Sequence, residues 1–178
     1  MIRIKQSGTD RDLLRVSGRT LVEADLSFRT LREGDLVGRT LDGAALDGAD
    51  LHRAHLLRAS LRGASLVGAS LICAELGEAD LRGADLTFAA LEAADLRGAD
   101  LRESCLDRAR LYGANLQRAR LEGADLRWAR LNGADLLGAR ADQHTLWPDG
   151  FEPHAAGVLV APTDADAGGS PGGEPPAG

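Results

Sequence analysis

The stretch GADLTFAALEAADLRGADL, Gly83 to Leu101, puts leucine at every fifth position, with alanine two residues ahead of Leu86, Leu91, Leu96 and Leu101. Working outward from it, the leucine phase runs unbroken from Leu21 to Leu136, 24 leucines in succession. Alanine holds the slot two before leucine in most repeats, from Ala44 to Ala139, and aspartate often stands directly before leucine, as at Asp80, Asp85, Asp95, Asp100, Asp125 and Asp135. A period of five fits neither the 3.6 of a helix nor the 2.0 of a half-buried strand. On an α-helix each step of five would turn the leucine by about 140° net and scatter the column around the cylinder. The pattern instead predicts that each pentad forms one side of a coil, with leucine and alanine inside and the other three positions outside.

On these residues the chain resembles the pentapeptide-repeat family, over about Thr20 to Arg140. The resemblance implies an all-β fold, a right-handed quadrilateral β-helix of about six coils of twenty residues, without an internal pore. At the usual strand spacing the rod would be about 29 Å long. Glycine at outer corners such as Gly43, Gly48, Gly63, Gly83 and Gly98 suits tight turns. Arg19, Arg29 and Arg39 occupy the alanine slot near the N-terminus, where a buried unpaired guanidinium would cost several kcal/mol, so those coils are expected to widen or the arginines to leave through an open end. Ser104 departs more mildly and should fit.

A solenoid exposes sheet edges at both ends and needs caps. Residues 1–19 are read as an N-terminal cap with Ile2, Ile4, Leu13, Leu14 and Val16 as covering groups, 20–140 as the β-helix and 141–160 as a C-terminal cap. In this last segment Ala141 replaces leucine, and Leu146, Trp147, Phe151, Val158 and Val160 follow. Residues 161–178, rich in Asp, Gly, Pro and Ser, are read as a disordered tail.

The composition is 44% hydrophobic but only 3% aromatic, and the net charge of −6 argues against general affinity for nucleic acid or anionic membranes. No apolar run marks a signal peptide or membrane span, so a cytoplasmic location is expected. Cys73 and Cys105 are too few for a disulfide framework and are expected as thiols. His52 and His55 would fall on consecutive sides of a coil, which makes a metal site unexpected. No phosphate loop, dinucleotide fingerprint or nucleophile elbow occurs. The reading is of a non-enzyme with no catalytic, cofactor or metal residues.

Function must then lie on the outer faces. Some members of the family bind DNA gyrase or topoisomerase IV, protect against quinolones or an antibiotic producer's own product, and are thought to imitate duplex DNA. The resemblance makes such an enzyme the most concrete partner, with an adaptor rod for an unrelated protein as the alternative, and either a monomer or a dimer. Charge density restrains DNA imitation: Leu21 to Arg140 holds 19 Asp/Glu and 16 Arg, whereas a duplex of that length carries about 17 uncompensated charges. Wrapping by twenty gathers Asp25, Asp47, Asp85, Asp107 and Asp125 on one side, with Phe28, Phe88 and Trp128 beside them. Asp35, Glu75, Glu78, Asp95 and Asp135 fall on the opposite side. The acid-free stretch Leu51 to Ala74, with Arg53, Arg58 and Arg62, interrupts both stripes. Arg110 stacks with Arg130 and Arg120 with Arg140, to pair with acids of neighbouring coils or to receive an anion.

Overall fold

The computed structural model describes residues 2–16 and 20–161. Arg19 and the tail beyond Ala161 lie outside the described residues, as do the side chains of Ile2 and Val16. Regular strands are few: β1 (Ile2–Lys5), β2 (Asp12–Val16), β3 (Arg140–Ala141) and β4 (Leu159–Val160). Between β2 and β3 the chain climbs by isolated parallel bridges, each joining a residue to the one twenty places on, from Asp25↔Ala45 to Arg120↔Arg140. No described residue is helical.

One pentad shows how the backbone is satisfied. In Ala79–Gly83, the Ala79 amide donates to the Leu76 carbonyl at 3.0 Å and closes a turn. The Asp80 amide reaches back to Ala59 at 2.9 Å, while those of Leu81 and Gly83 reach forward to Asp100 and Arg102 at 2.8 and 2.9 Å. Only the Arg82 amide lacks a backbone acceptor, and the Asp80 carboxylate takes it at 3.3 Å. The same side-chain bond recurs from Asp25 to Ser27, Asp50 to His52, Asp95 to Arg97 and Asp125 to Arg127. Aspartate before leucine is therefore chosen by an orphan donor two residues on, the local pairing that Asp and Asn make readily.

All 24 leucines are buried, most of them fully, and alanines such as Ala79, Ala84 and Ala99 are at most 1% exposed. Ser104, in the alanine slot, is buried and donates its hydroxyl to the Leu101 carbonyl at 2.6 Å. Arg29 and Arg39 are exposed, and no coil precedes theirs to close over them. The third residue of each turn has the positive φ that a type II turn places there. Glycine fills it at Gly63 and Gly83, but thirteen described non-glycine residues also adopt it, among them Phe28, Ala93 and Trp128.

At the N-terminal end, β1 and β2 form an antiparallel hairpin. It docks through an antiparallel bridge from Gln6 to Gly34 and the Asp35 amide bond to the Lys5 carbonyl at 2.7 Å. Gly34 occupies the alanine slot under Ile4 and Leu13: a Cβ there would make ordinary contact with each at 3.5 Å but would meet the Leu31 carbonyl oxygen of its own turn at 2.8 Å. At the other end Ala141 is buried in the leucine phase, and the register then slips by one, Asp125 bridging Leu146. β4 pairs in parallel with β3. Trp147 stacks on Phe151 at 4.9 Å, and Val158 is buried, while Leu146 turns partly outward.

Two expected outcomes follow from this packing. Leu81→Ala opens a cavity that a column stacked above and below cannot collapse, and should cost about 2–5 kcal/mol in urea unfolding. Ala93→Gly removes a Cβ from a left-handed turn residue and should raise stability by about 0.5–1 kcal/mol in the same experiment, the relief exceeding the added chain entropy.

Candidate binding face

The bridges Asp25↔Ala45↔Ser65↔Asp85↔Cys105↔Asp125 run in one column. Asp25, Asp85 and Asp125 therefore share a face, and Asp47 and Asp107 lie two residues along the same pentads. A second column, Asp35↔His55↔Glu75↔Asp95↔Asn115↔Asp135, carries the other acids singled out from the sequence. What the sequence did not disclose is how far these carboxylates are engaged. Asp85 accepts from the Thr87 amide and hydroxyl. Asp47 accepts from the Ser65 hydroxyl and, at 3.1 Å, from the Val67 amide. Asp135 accepts from the Leu137 amide and from Gln117, and Glu75 faces His55 Nδ1 at 2.9 Å. Asp107 has one buried oxygen without a hydrogen-bond partner and lies 3.8 Å from Arg108.

Arginine two places after aspartate closes the ring more tightly. Arg82, Arg97, Arg102 and Arg127 each fold back on the aspartate of their own pentad, at 2.6, 2.6, 2.6 and 2.7 Å. Their hydrogen bonds hold Asp80, Asp95 and Asp125 below the usual carboxylate range. Burial pushes Asp100 up, but the bonds from Arg102 outweigh it and leave that carboxyl lowered too. Within the two acid stripes, Asp95 and Asp125 are thus neutralised inside their own repeats, while Asp47, Asp85 and Asp135 are held by neutral donors and keep their charge.

The aromatic side chains are the conspicuous outward groups. Phe28, Phe88 and Trp128 are 81%, 50% and 65% exposed. They occupy the same turn position of coils that lie three and two apart, so their backbones are separated by about 14 and 10 Å. Phe28 lies across Gly48, where a Cβ would meet the ring at 2.7 Å. Arg108 sits over the Phe88 ring, 5.3 Å from its centroid. Beyond Phe88 the face turns a corner to Arg110 and Arg130, bridged to each other. A cleft of about 550 Å³ opens there between Phe88, Arg108, Arg110, Trp128 and Arg130. The stacking of Arg110 on Arg130 was legible from the twenty-residue wrap, but the cleft was not, because its walls come from two sides of the coil.

Of the four C-terminal arginines, Arg110 pairs with Glu92 at 2.5 Å and Arg120 lies 3.7 Å from Asp100 and 3.6 Å from Glu122. Arg130 donates to the Tyr112 hydroxyl at 3.0 Å. Cys73 is exposed, Cys105 is half-buried, and neither is in a disulfide. Among the described residues no group of three His, Cys, Asp or Glu is placed to hold a metal ion, and no helix is long and apolar enough to cross a membrane.

The pentapeptide repeats model matches the chain in eight copies, over residues 21–56, 40–72, 51–87, 74–113 and 109–143, and the chain belongs to that family. The fold is accordingly a right-handed β-helix. Among solved structures, a pentapeptide repeat protein from Nostoc PCC 7120 is 37% identical, with a TM-score of 0.52, over 63% of this chain and 84% of its own. A second, from the cyanobacterium Cyanothece 51142, is 39% identical with a TM-score of 0.52, over 52% of this chain and 63% of its own. QnrB1, a plasmid-mediated fluoroquinolone resistance protein, aligns over 82% of this chain and 83% of its own at 17% identity and a TM-score of 0.41. No curated protein matches the sequence.

The lowered aspartates carry a pH signature. A carboxyl whose folded pKa is depressed contributes stability that is present above its unfolded value, 3.8 for Asp95, and is lost as pH falls through the folded one. Arg97→Gln should therefore lower the urea midpoint at neutral pH, and the difference from the parent protein should shrink as pH falls below 3.8 toward the lowered folded value of Asp95.

Proposed function

We propose that this protein is a non-catalytic rod that binds a protein partner through the face bearing Phe28, Phe88 and Trp128. The observation that carries this reading is the exposure of all three aromatic side chains in one register. Large aromatics with polar neighbours are the usual energetic centres of protein interfaces. The rod itself is read as four-sided, with about six coils of twenty residues. The β1–β2 hairpin would cap one end, and the segment from 141 to 160 the other. The thiols of Cys73 and Cys105 suit a cytoplasmic setting.

The first partner to test is a type II topoisomerase, DNA gyrase or topoisomerase IV, which the family resemblance supplies. In that reading Asp25, Asp47, Asp85, Asp107 and Asp125 would meet surfaces that otherwise hold DNA, with Asp35, Glu75, Asp95 and Asp135 as the opposite stripe. A second reading, an adaptor for an unrelated protein, is favoured by the charge balance of the rod: 19 Asp/Glu against 16 Arg between Leu21 and Arg140, with Asp95 and Asp125 each carrying an arginine of their own pentad, falls well short of the uncompensated charge of a duplex.

A gyrase supercoiling assay with and without a quinolone separates the two. A topoisomerase partner should produce inhibition or protection that Trp128→Ala weakens by about ten-fold or more. Unchanged supercoiling in both arms up to tens of micromolar protein removes the topoisomerase reading and leaves the adaptor.

A further inference from the structure

The cleft at the corner between Trp128 and Arg130 differs in kind from the rest of the surface. Arginines also gather at Arg62, Arg82 and Arg102 and at Arg118, Arg120 and Arg140, but there without aromatic rings beside them, and Arg82 and Arg102 are each paired with the aspartate of their own pentad. In the cleft three arginines, Arg108, Arg110 and Arg130, converge beside two exposed rings. Arg108 leans on the face of Phe88 and is 3.8 Å from Asp107. Arg110 is held by Glu92. Arg130 has no carboxylate within ion-pair distance among the described residues and gives one of its five donors to the neutral Tyr112 hydroxyl.

Arg110 and Arg130 stand one coil apart on bridged residues, so their backbones are about 4.8 Å from each other. Side chains that leave neighbouring coils so close together can converge on one ligand, and an oxyanion placed between them would receive charge-assisted contacts from both forks, Arg110 sharing its fork with Glu92. Tyr112 fixes one side of the Arg130 fork, so part of the ordering cost of binding is met before a ligand arrives. Phe88 and Trp128 form an apolar wall along the same cleft, and apolar contact beside the anion excludes water from it and strengthens the pairing.

The neighbourhood also decides which class of anion fits. Asp85, Asp107 and Asp125 share the face with Trp128, and the whole chain carries −6. A polyanion such as a nucleic acid strand, laid along the rod through the cleft, would run its flanking phosphates over these carboxylates. A single anion flanked by apolar groups avoids them.

We infer that the Phe88, Arg108, Arg110, Trp128 and Arg130 cleft docks a peptide segment of a protein partner that carries one oxyanion, a carboxylate or a phosphate ester, beside an aromatic or aliphatic side chain. The oxyanion lies between Arg110 and Arg130 and the apolar side chain against Trp128 and Phe88. The inference rests on the protein-binding reading and adds the chemistry by which the partner is recognised.

The probes are immobilised hexapeptides in which Glu or phosphoserine is placed one to three positions from Phe or Leu. Matched peptides with Gln or Ser, and an oligothymidylate, serve as comparisons, and the full-length protein is titrated over each. Retention of the acidic–apolar peptides should exceed that of their Gln or Ser counterparts by about ten-fold, and Arg130→Gln and Trp128→Ala should each remove about that factor. Arg140→Gln, an exposed arginine outside the cleft, should leave retention unchanged. The Glu and phosphoserine arms decide which oxyanion is preferred, and preference for either supports the site. No retained peptide, equal retention of the neutral counterparts, indifference to Arg130→Gln, or tighter retention of oligothymidylate overturns it. If a partner identified independently still binds the Arg130→Gln protein undiminished, the cleft assignment fails while the protein-binding rod stands.

Discussion

Everything in this molecule depends on the registry of one coil on the next. A leucine at every fifth residue and an alanine two before it can share an interior only if each coil closes after twenty residues, so that like falls upon like. Once it does, the amides of Asp80, Leu81 and Gly83 meet carbonyls of the coils below and above, and the column is bonded along its length by backbone groups while leucine fills the centre. Neither element suffices alone. A single turn of five residues would fix its dihedrals for one hydrogen bond and bury almost nothing, so stability accumulates between coils and not within them. The alanine slot sets the tolerance: Ser104 is admitted because its hydroxyl finds the Leu101 carbonyl, whereas Arg29 and Arg39 sit where no earlier coil covers them.

The core was legible in the sequence because its signal is a strict period, and a period survives without knowledge of what it packs against. Leucine and alanine at their two slots gave the inside, and counting by twenty placed Asp25, Asp85 and Asp125 in one column and Asp35, Glu75, Asp95 and Asp135 in another, as the bridges do. The preference for aspartate before leucine could be seen but not explained. Its cause is the orphan amide of the residue after leucine, visible only when the other four amides of the pentad have been assigned. Nor could residue counting show that Arg97 and Arg127 turn back on Asp95 and Asp125, since an arginine at that position reaches its own pentad or the next coil with equal ease. The ends were least legible. Gly34 packs under Ile4 and Leu13, which arrive from a hairpin far away in the sequence, and the slip that brings Leu146 opposite Asp125 comes after leucine is lost at Ala141.

Neutralisation within the pentad changes what Asp80, Asp95, Asp100 and Asp125 mean on the surface. A carboxylate that accepts from the backbone amide two residues on and from a neighbouring guanidinium is a structural group first: it satisfies a donor, and removing it would leave that donor dependent on water. Its charge reaches a partner only after the arginine is displaced, and displacement forfeits the short contacts at Asp80, Asp95, Asp100 and Asp125. Groups that hold nothing together are better placed to recognise another molecule. On this surface the exposed rings of Phe28 and Trp128 and, among the arginines of the cleft, Arg130, whose one side-chain partner among the described residues is the Tyr112 hydroxyl, come nearest to that description.

The turn geometry supports the same conclusion. At the third turn position the backbone is left-handed, a conformation that glycine adopts freely and that costs other residues about 1–2 kcal/mol. Gly63 and Gly83 avoid that cost. Phe28 and Trp128 incur it, and with most of their surface in water they regain little through burial. Phe28 at least lies on Gly48, and Phe88 is covered in part by Arg108, but Trp128 stands at the open mouth of a cleft lined by cations. A bulky ring held in a strained position and outside the core adds little to the fold, which is why the proposed interface is centred on it. The repeat supplies the rigid frame that makes such a placement affordable, because the interior column needs nothing from the third turn position except that the chain should pass through it.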